Sequence, residues 1–100
     1  MKITTAIVIG LASEIAANYD KDRSSLIIYN NSASAVIYYG SDNTLSTSNG
    51  FPIPPKTGLA FSEQTGDDPS LAYWLVSDTA GTDVRVGEGR AVQPVRAEGV

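Results

Sequence analysis

The sequence contains no cysteine and no histidine among its 100 residues. Without cysteine, the chain cannot form disulfides, thiolate nucleophiles or cysteine-ligated metal sites. Without histidine, it lacks the commonest general base, which excludes catalysis of the Ser/His/Asp and Cys/His types. A lysine-activated serine would require Lys2, Lys21 or Lys56, and each lies in a loop-like or terminal segment. We therefore predict a protein that is not an enzyme and that holds no cofactor and no metal ion.

Basic residues are scarce as well. Seven lysine and arginine residues stand against eleven aspartate and glutamate residues, for a formal net charge of -4. Between Asp42 and Asp83 there are six acids and one base, Lys56. Because binding to nucleic acid requires clustered lysine and arginine to neutralise phosphates, we expect no nucleic-acid partner.

Long hydrophobic runs are also missing. No stretch approaches the roughly 18 apolar residues of a membrane span, and "TAIVIGLA" lacks the basic flank and cleavage pattern of a signal peptide. We expect a soluble chain with no membrane partner and no cleaved leader. Hydrophobic residues make up 42% and charged residues 18% of the chain, unlike a disordered protein, so it should fold as one domain.

The chain consists of short β-type runs separated by turn residues. Segments rich in Asn, Asp, Ser, Gly and Pro recur at spacings of about 8 to 12 residues, the pattern of a sandwich or barrel. We predict an all-β fold, a single small β-sandwich or jelly-roll-like barrel of about seven to eight antiparallel strands. The predicted strands are Ile3–Ile9, Ser13–Ala17, Ser25–Asn30, Ala35–Gly40, Thr57–Ser62, Leu71–Ser77 and Asp83–Glu88.

Two segments allow alternative interpretations. In "LASEIAANYD", the alternation of side chains favours a strand over one or two helical turns. The last segment, "RAVQPVRAEGV", has scattered valines and no turn pattern, so it forms either a flexible tail or an arm that docks on a partner. The expected organisation is one β domain over residues 1–89, with an N-terminal strand or arm at residues 1–10, followed by a flexible C-terminal tail over residues 90–100.

Three predicted strands are apolar on both faces. In "SLIIYN", "AVIYYG" and "LAYWLVS", apolar side chains occupy both sets of alternating positions. A strand of a sandwich needs only one covered face. The second apolar face therefore either contacts another copy of the chain or carries side chains that only add to a small core. Tyr38 and Trp74 are the candidate contact residues on this face, because buried aromatic residues dominate interface energetics. Trp74 can equally be a core residue.

The stretch "SNGFPIPP", Ser48–Pro55, combines an Asn-Gly pair, one phenylalanine and three prolines. We expect Asn49 and Gly50 to form a tight reversal with positive φ, and the prolines to stiffen the loop. Phe51 then either packs under the end of the sandwich or contacts a partner at a low entropic cost.

Pairs of carboxylates occur in the predicted turns. Asp20 lies near Asp22, and Asp67 precedes Asp68. A glycosidase requires two carboxylates that face each other across a cleft, but aspartates in turns usually cap their own backbone, which we expect here. The stretch "DKDRSSLIIYNN" fails as a calcium-binding loop because serine replaces its glycine and its twelfth position is not acidic. A weak surface cation site at "EQTGDD" is the alternative.

Several segments follow one another in a set order between Ala12 and Glu88. They are "AAN" leading to "RSSLIIYN", "VIYYG" ending in glycine, the corner "SNGFPI", the strand "GLAFSE", and the closing pair "AYWLV" and "TDVRVGE". In this order and spacing the chain resembles the small virion-associated β proteins of tailed bacteriophages, a group that includes capsid decoration proteins, head-fibre bases and minor structural proteins. The extra proline and lysine of "IPPKTG" and the long acidic "EQTGDDPS" depart from that pattern.

The resemblance implies a virion structural protein that decorates or stabilises the capsid as a homo-oligomer, preferably a trimer. It would be made in the bacterial cytoplasm and bind the major capsid protein or another virion protein at the outer surface of the phage head. The alternative is a glycan- or receptor-binding module of a phage fibre, with Tyr73 and Trp74 beside "SDTAGTD". The residues expected to contact a partner or another subunit are Tyr38, Phe51, Trp74, Ile3 and Ile7.

Overall fold

The computed structural model describes residues 2–62 and 68–90, and the regular secondary structure within these ranges is entirely β. Alternating side chains form the strands, and polar or glycine-containing turns separate them. The strands are β1 (Lys2–Ile9), β2 (Glu14–Ala17), β3 (Arg23–Asn30), β4 (Ile37–Gly40), β5 (Phe51–Ile53), β6 (Thr57–Ser62), β7 (Tyr73–Ser77) and β8 (Thr82–Arg90).

The strands form two antiparallel sheets of four strands each. The first sheet has the order β1-β8-β3-β6 and the second sheet has the order β2-β7-β4-β5. The pairs β1 with β8, β2 with β7, β3 with β6 and β4 with β5 are nested, as in one long hairpin rolled so that successive pairs alternate between the sheets. This is the strand order of a jelly roll, so the predicted all-β sandwich or jelly-roll-like fold is confirmed.

The core lies between the inner faces of the two sheets. Cross-strand partners point to the same side of a sheet, so aliphatic residues on paired strands meet in one layer. Burial of each such side chain is worth about 1.5–3 kcal/mol relative to its exposure. The fully or almost fully buried aliphatic residues of this core are Ile9, Leu26, Ile28, Ile37, Ile53, Leu75, Val84 and Val86.

The structure contains one strand that the sequence does not predict. Strand β5 (Phe51–Ile53) runs through the predicted corner and pairs with β4, where Pro52 lies opposite Tyr38. A proline is tolerated in this strand because β5 is an edge strand of the second sheet and has a neighbour on one side only. The corner is therefore part of the sheet and positions Phe51 on it.

The chain turns just before the Asn-Gly pair, where the N–H groups of Asn49 and Gly50 both donate to the carbonyl of Ser46, but the positive φ expected for this pair is wrong. Among the residues that the structure describes, only Lys56 (φ 55°) and Gly81 (φ 74°) have positive φ, and Gly50 does not. Glycine is required at position 50 by close packing instead. A Cβ atom there would lie 2.6 Å from Cδ1 of Leu45 and 2.7 Å from Cβ of Tyr38. The glycine at position 50 is therefore explained by the lack of space for a side chain and not by a left-handed backbone conformation.

The segment with a possible helical interpretation is strand β2, which pairs with β7. Its register shifts between Ile15 and Ala17, as in a β-bulge. At the start of the chain, residues 2–9 pair with β8 along their whole length and form a strand of the sandwich. Residues 91–100, which make up most of the predicted tail, lie outside the described residues, as does most of "EQTGDD".

A buried arginine forms hydrogen bonds to the loops at one end of the sandwich. The side chain of Arg23 is 1% exposed. Its Nε donates to the carbonyl of Pro69 at 2.6 Å, and its Nη2 donates to the carbonyl of Leu71 at 2.6 Å. Its Nη1 donates to the carbonyl of Asn18 at 3.0 Å and to Oε1 of Glu88 at 3.1 Å. The buried charge is therefore hydrogen-bonded at all three nitrogens and holds two loops against the first sheet.

Candidate functional site

A cleft opens at one end of the second sheet, between the β4–β5 loop and the segment that leads into β7. Its volume is about 380 Å³, within the range of sites for small ligands. We call it the end cleft. Its lining includes the aromatic residues Tyr39, Phe51 and Tyr73, the aliphatic residues Leu45 and Leu71, and the polar residues Asp42, Thr44 and Asn49.

An aromatic cluster extends from the core into the end cleft. The ring of Phe51 stacks on that of Tyr39, with centroids 5.4 Å apart and planes inclined by 28°. Tyr39 also contacts Phe61 edge-on at 5.1 Å and lies 6.4 Å from Tyr73. Phe61 is 3% exposed, whereas Phe51 is 66% exposed. Phe51 therefore packs on the end of the sandwich without being buried there, which differs from the first of its two predicted alternatives, packing under the end of the sandwich.

The β4–β5 loop, residues 41–50, is held by its own hydrogen bonds. The backbone N–H of Gly50 donates to the carbonyl of Ser46 at 3.0 Å. Nδ2 of Asn49 donates to the carbonyl of Thr44 at 3.1 Å, and Oδ1 of Asn49 accepts from the N–H of Ser46 at 2.7 Å. A loop that is already ordered loses little entropy when a ligand binds.

Leu45 anchors this loop to the second sheet. Its side chain is 8% exposed and packs over two glycines. A Cβ atom at Gly40 would lie 2.8 Å from Cδ1 of Leu45, and one at Gly50 would lie 2.6 Å from the same atom. The absence of side chains at both positions therefore sets how closely the loop approaches the sheet, and with it the shape of the end cleft.

Asp42 supplies a carboxylate to the end cleft. Its Oδ1 accepts hydrogen bonds from Oγ1 of Thr44 at 2.5 Å and from the N–H of Thr44 at 2.9 Å. These bonds, the side-chain one first, hold the pKa of Asp42 below its ordinary value of 3.8, so the carboxylate is ionised near neutral pH. The described residues that line the cleft include no lysine or arginine. The charge of the cleft is therefore negative.

The outer face of the second sheet is a separate candidate surface. Ile15 lies opposite Trp74, and Tyr38 lies opposite Val76 and Pro52, so these residues share the outward side. None of them carries a charge. Pro52 is exposed, Ile15 is 41% exposed, Tyr38 and Trp74 are partly buried, and Val76 is only 1% exposed. We call the surface formed by these five residues the charge-free face.

The structure separates the five residues that the sequence marks as contacts. Tyr38 and Trp74 lie on the charge-free face, whereas Phe51 lies in the end cleft. Ile7 packs against the core from β1, so its side chain is not presented as part of an arm. Ile3 lies in β1, and its side chain is outside the described part of the structure.

Asp78, the first acidic residue of "SDTAGTD", is separated from Trp74 and already hydrogen-bonded. Trp74 and Asp78 are four positions apart along β7 and its exit, about 13 Å in an extended strand. Oδ1 of Asp78 accepts from the N–H of Val36 at 3.1 Å and from Oγ1 of Thr79 at 2.9 Å. This carboxylate therefore organises the β7–β8 turn.

Of the paired turn carboxylates, Asp20 and Asp68 cap their own backbone as predicted, whereas Asp22 accepts from Nζ of Lys21 and Asp67 lies outside the described residues. Oδ1 of Asp20 accepts from the N–H of Asp22 at 3.0 Å, and Oδ1 of Asp68 accepts from the N–H of Ser70 at 3.0 Å. Over residues 2–62 and 68–90, no three acidic or other metal-ligating side chains cluster as a metal site would require. The same part of the chain contains no helix of the length and hydrophobicity needed to cross a bilayer.

Comparisons of the chain with protein-family models, with curated proteins and with solved structures find no match. The jelly-roll architecture hosts many unrelated functions, so function has to be argued from surfaces and sites. Among the described residues, the end cleft is the candidate binding site and the charge-free face is the candidate contact surface.

The sequence does not mark several residues of the end cleft, among them Tyr39, Asp42 and Asn49. Asn49 is expected only to form part of a turn, and no local pattern marks Tyr39 or Asp42 as part of a site. The available signal was the length of "SDNTLSTSNG", which is long for a connection between two adjacent antiparallel strands. Such a loop commonly carries function, but only the pairing of β4 with β5 brings it beside Phe51.

Proposed function

We propose that this protein is a structural component of a bacteriophage virion that decorates or stabilises the capsid as a homo-oligomer and catalyses no reaction. The resemblance over Ala12 to Glu88 supports this proposal, and so does the jelly-roll strand order, which also occurs in viral capsid domains. The proposed location is the outer surface of the phage head. The proposed partner is the major capsid protein or another virion protein.

The charge-free face is the observation that carries the proposal of self-association. The chain has a net charge of -4, so two copies repel each other unless they meet where charges are absent. The charge-free face offers such a surface, with the partly exposed Tyr38 and Trp74 and with Ile15, which is 41% exposed. Contact through this face would bury the aromatic residue types that contribute most to interfaces. A second copy of the chain is the occupant that fits it.

Self-association would explain how a domain of this size binds a shell. A homo-oligomer carries several equivalent shell-binding surfaces, so weak single contacts combine through effective concentration. A trimer, the preferred state, would match the threefold positions of an icosahedral shell. Capsid binding then requires no deep site on any single copy.

The proposal is tested on virions of the phage that encodes the chain. Particles purified on a density gradient are analysed by mass spectrometry, and an antibody to the chain is located by electron microscopy. The proposal expects the chain in the particles and the label over the head. Absence of the chain from purified particles would contradict it, and label at fibre tips would support the glycan- or receptor-binding alternative.

A further inference from the structure

The end cleft presents an aromatic ring in a fixed orientation. Phe51 is 66% exposed, yet its ring stacks on Tyr39 and its backbone is part of β5. Such a ring offers a flat apolar platform that does not have to be ordered on binding. The faces of pyranose rings that carry only C–H groups pack well against platforms of this kind.

Polar groups with spare hydrogen-bonding capacity line the same cleft as the ring of Phe51. Oδ1 of Asp42 accepts from Thr44, while Oδ2 of Asp42 takes part in no hydrogen bond among the described residues. Asn49 uses one N–H of its Nδ2 for the carbonyl of Thr44 and keeps the second N–H. A sugar hydroxyl both donates and accepts, so it can satisfy a carboxylate oxygen and an amide N–H at once.

The charges of the end cleft select among ligand classes. The ionised Asp42 and the lack of lysine or arginine in the described lining disfavour phosphates and acidic sugars. A purely apolar ligand would desolvate the carboxylate without replacing its bonds to water. A neutral, hydroxyl-rich ring avoids both costs.

We propose that the end cleft binds a neutral pyranose sugar, which stacks on Phe51 and hydrogen-bonds to Asp42 and Asn49. The volume of about 380 Å³ accommodates one or two such rings. This site is independent of the proposed virion assembly, because none of these three residues belongs to the charge-free face. The chemistry fits the terminal sugars of a neutral surface glycan.

Titration by two-dimensional NMR tests this inference with four neutral probes, glucose, galactose, mannose and N-acetylglucosamine, and one acidic probe, N-acetylneuraminic acid. Saturable shifts are expected for residues 39–51 with at least one neutral probe, with a Kd on the order of 1 mM. Phe51→Ala should weaken that binding about tenfold, and Phe51→Tyr, which keeps the platform, should preserve it. Leu11→Ala is the matched control, because Leu11 is also 66% exposed but does not line the end cleft.

Three results would overturn the inference. The first is that none of the four neutral probes produces saturable shifts in residues 39–51. The second is that Phe51→Ala, with the dispersed spectrum of a folded chain, binds as tightly as the unmodified protein. The third is that N-acetylneuraminic acid binds as tightly as the best neutral sugar. If Phe51→Ala does not fold, Asp42→Asn takes its place, and unchanged affinity in that variant would equally contradict the proposed contacts.

Discussion

Nη1 of Arg23 lies 3.1 Å from Oε1 of Glu88, and this ion pair joins β3 to β8 inside the first sheet. The other nitrogens of the same guanidinium bind the carbonyls of Pro69 and Leu71, in the segment that leads into β7. Leu71 in turn lines the end cleft. One buried cation therefore links the sheet to the segment that forms a wall of the candidate site.

Removal of this arginine should be among the most destabilising changes. Arg23→Met would leave the carbonyls of Asn18, Pro69 and Leu71 without their donor, and we expect a loss of about 3–5 kcal/mol in the free energy of unfolding. Glu88→Gln keeps an acceptor for Nη1 and should cost about 1 kcal/mol. Urea denaturation of both variants measures the difference. Equal losses of free energy in the two variants would show that Arg23 stabilises the fold mainly through its ion pair with Glu88 and not through its hydrogen bonds to the carbonyls.

Substitution by alanine and by asparagine should differ in cost at two glycines, and the order of the two costs should be reversed between them. Gly81 has φ 74° with no atom near its missing Cβ, so Gly81→Ala should cost about 1–2 kcal/mol, and Gly81→Asn should cost less because asparagine tolerates that conformation. Gly50 lacks space, so Gly50→Ala should cost about 1–3 kcal/mol and Gly50→Asn should cost more. Thermal unfolding of the four variants tests this order. A milder effect of Asn than of Ala at position 50 would contradict the packing explanation.

The fold should lose stability in acid. Hydrogen bonds from neighbouring side chains lower the pKa values of Asp42, Asp68 and Asp83, and for Asp83 these bonds come from Asn31 and then Arg85. Because the folded pKa values lie below the ordinary 3.8, the stabilisation is present above pH 3.8 and is lost as pH falls through the folded values. The melting temperature should therefore decline only below about pH 4.

Asp83→Asn provides the matched variant for the acid response. Asparagine cannot ionise, so the variant should be less stable than the unmodified protein at neutral pH and should lose less stability on acidification. Melting curves recorded across the acidic range compare the two chains. An identical acid response would show that the bonds of Asp83 contribute nothing to the pH dependence of stability.

The sequence was sufficient to predict seven of the strands and the class of the fold. Alternation in "TDVRVGE" separates inward from outward positions, apolar β-type residues mark the runs such as "SLIIYN", and turn residues between the runs limit their length. Strand β5 could not be recognised in the same way. It has three residues and contains Pro52, and its pairing with β4 is a long-range contact that no local pattern encodes.

The candidate sites were less predictable than the fold. The sequence placed Tyr38 and Trp74 on a second apolar face because a period of two fixes which side chains share a side. It could not show that Phe51 would stack on Tyr39 and line the same cleft as Asp42, because that arrangement depends on how the β4–β5 loop folds. Leu45 and the two glycines beneath it decide that geometry, and their packing is a property of the tertiary structure.

Self-association through the charge-free face is tested most directly by the mass of the protein in solution. Light scattering behind a sizing column would be recorded for the unmodified chain, for Ile15→Glu on the charge-free face, and for Val8→Glu. Val8 is the control because it is 64% exposed on the outward side of the other sheet. The account predicts a multiple of the 10.5 kDa chain mass, preferably three, that Val8→Glu keeps and Ile15→Glu reduces to a monomer. A monomeric unmodified chain, or an oligomer that Ile15→Glu leaves intact, would contradict it.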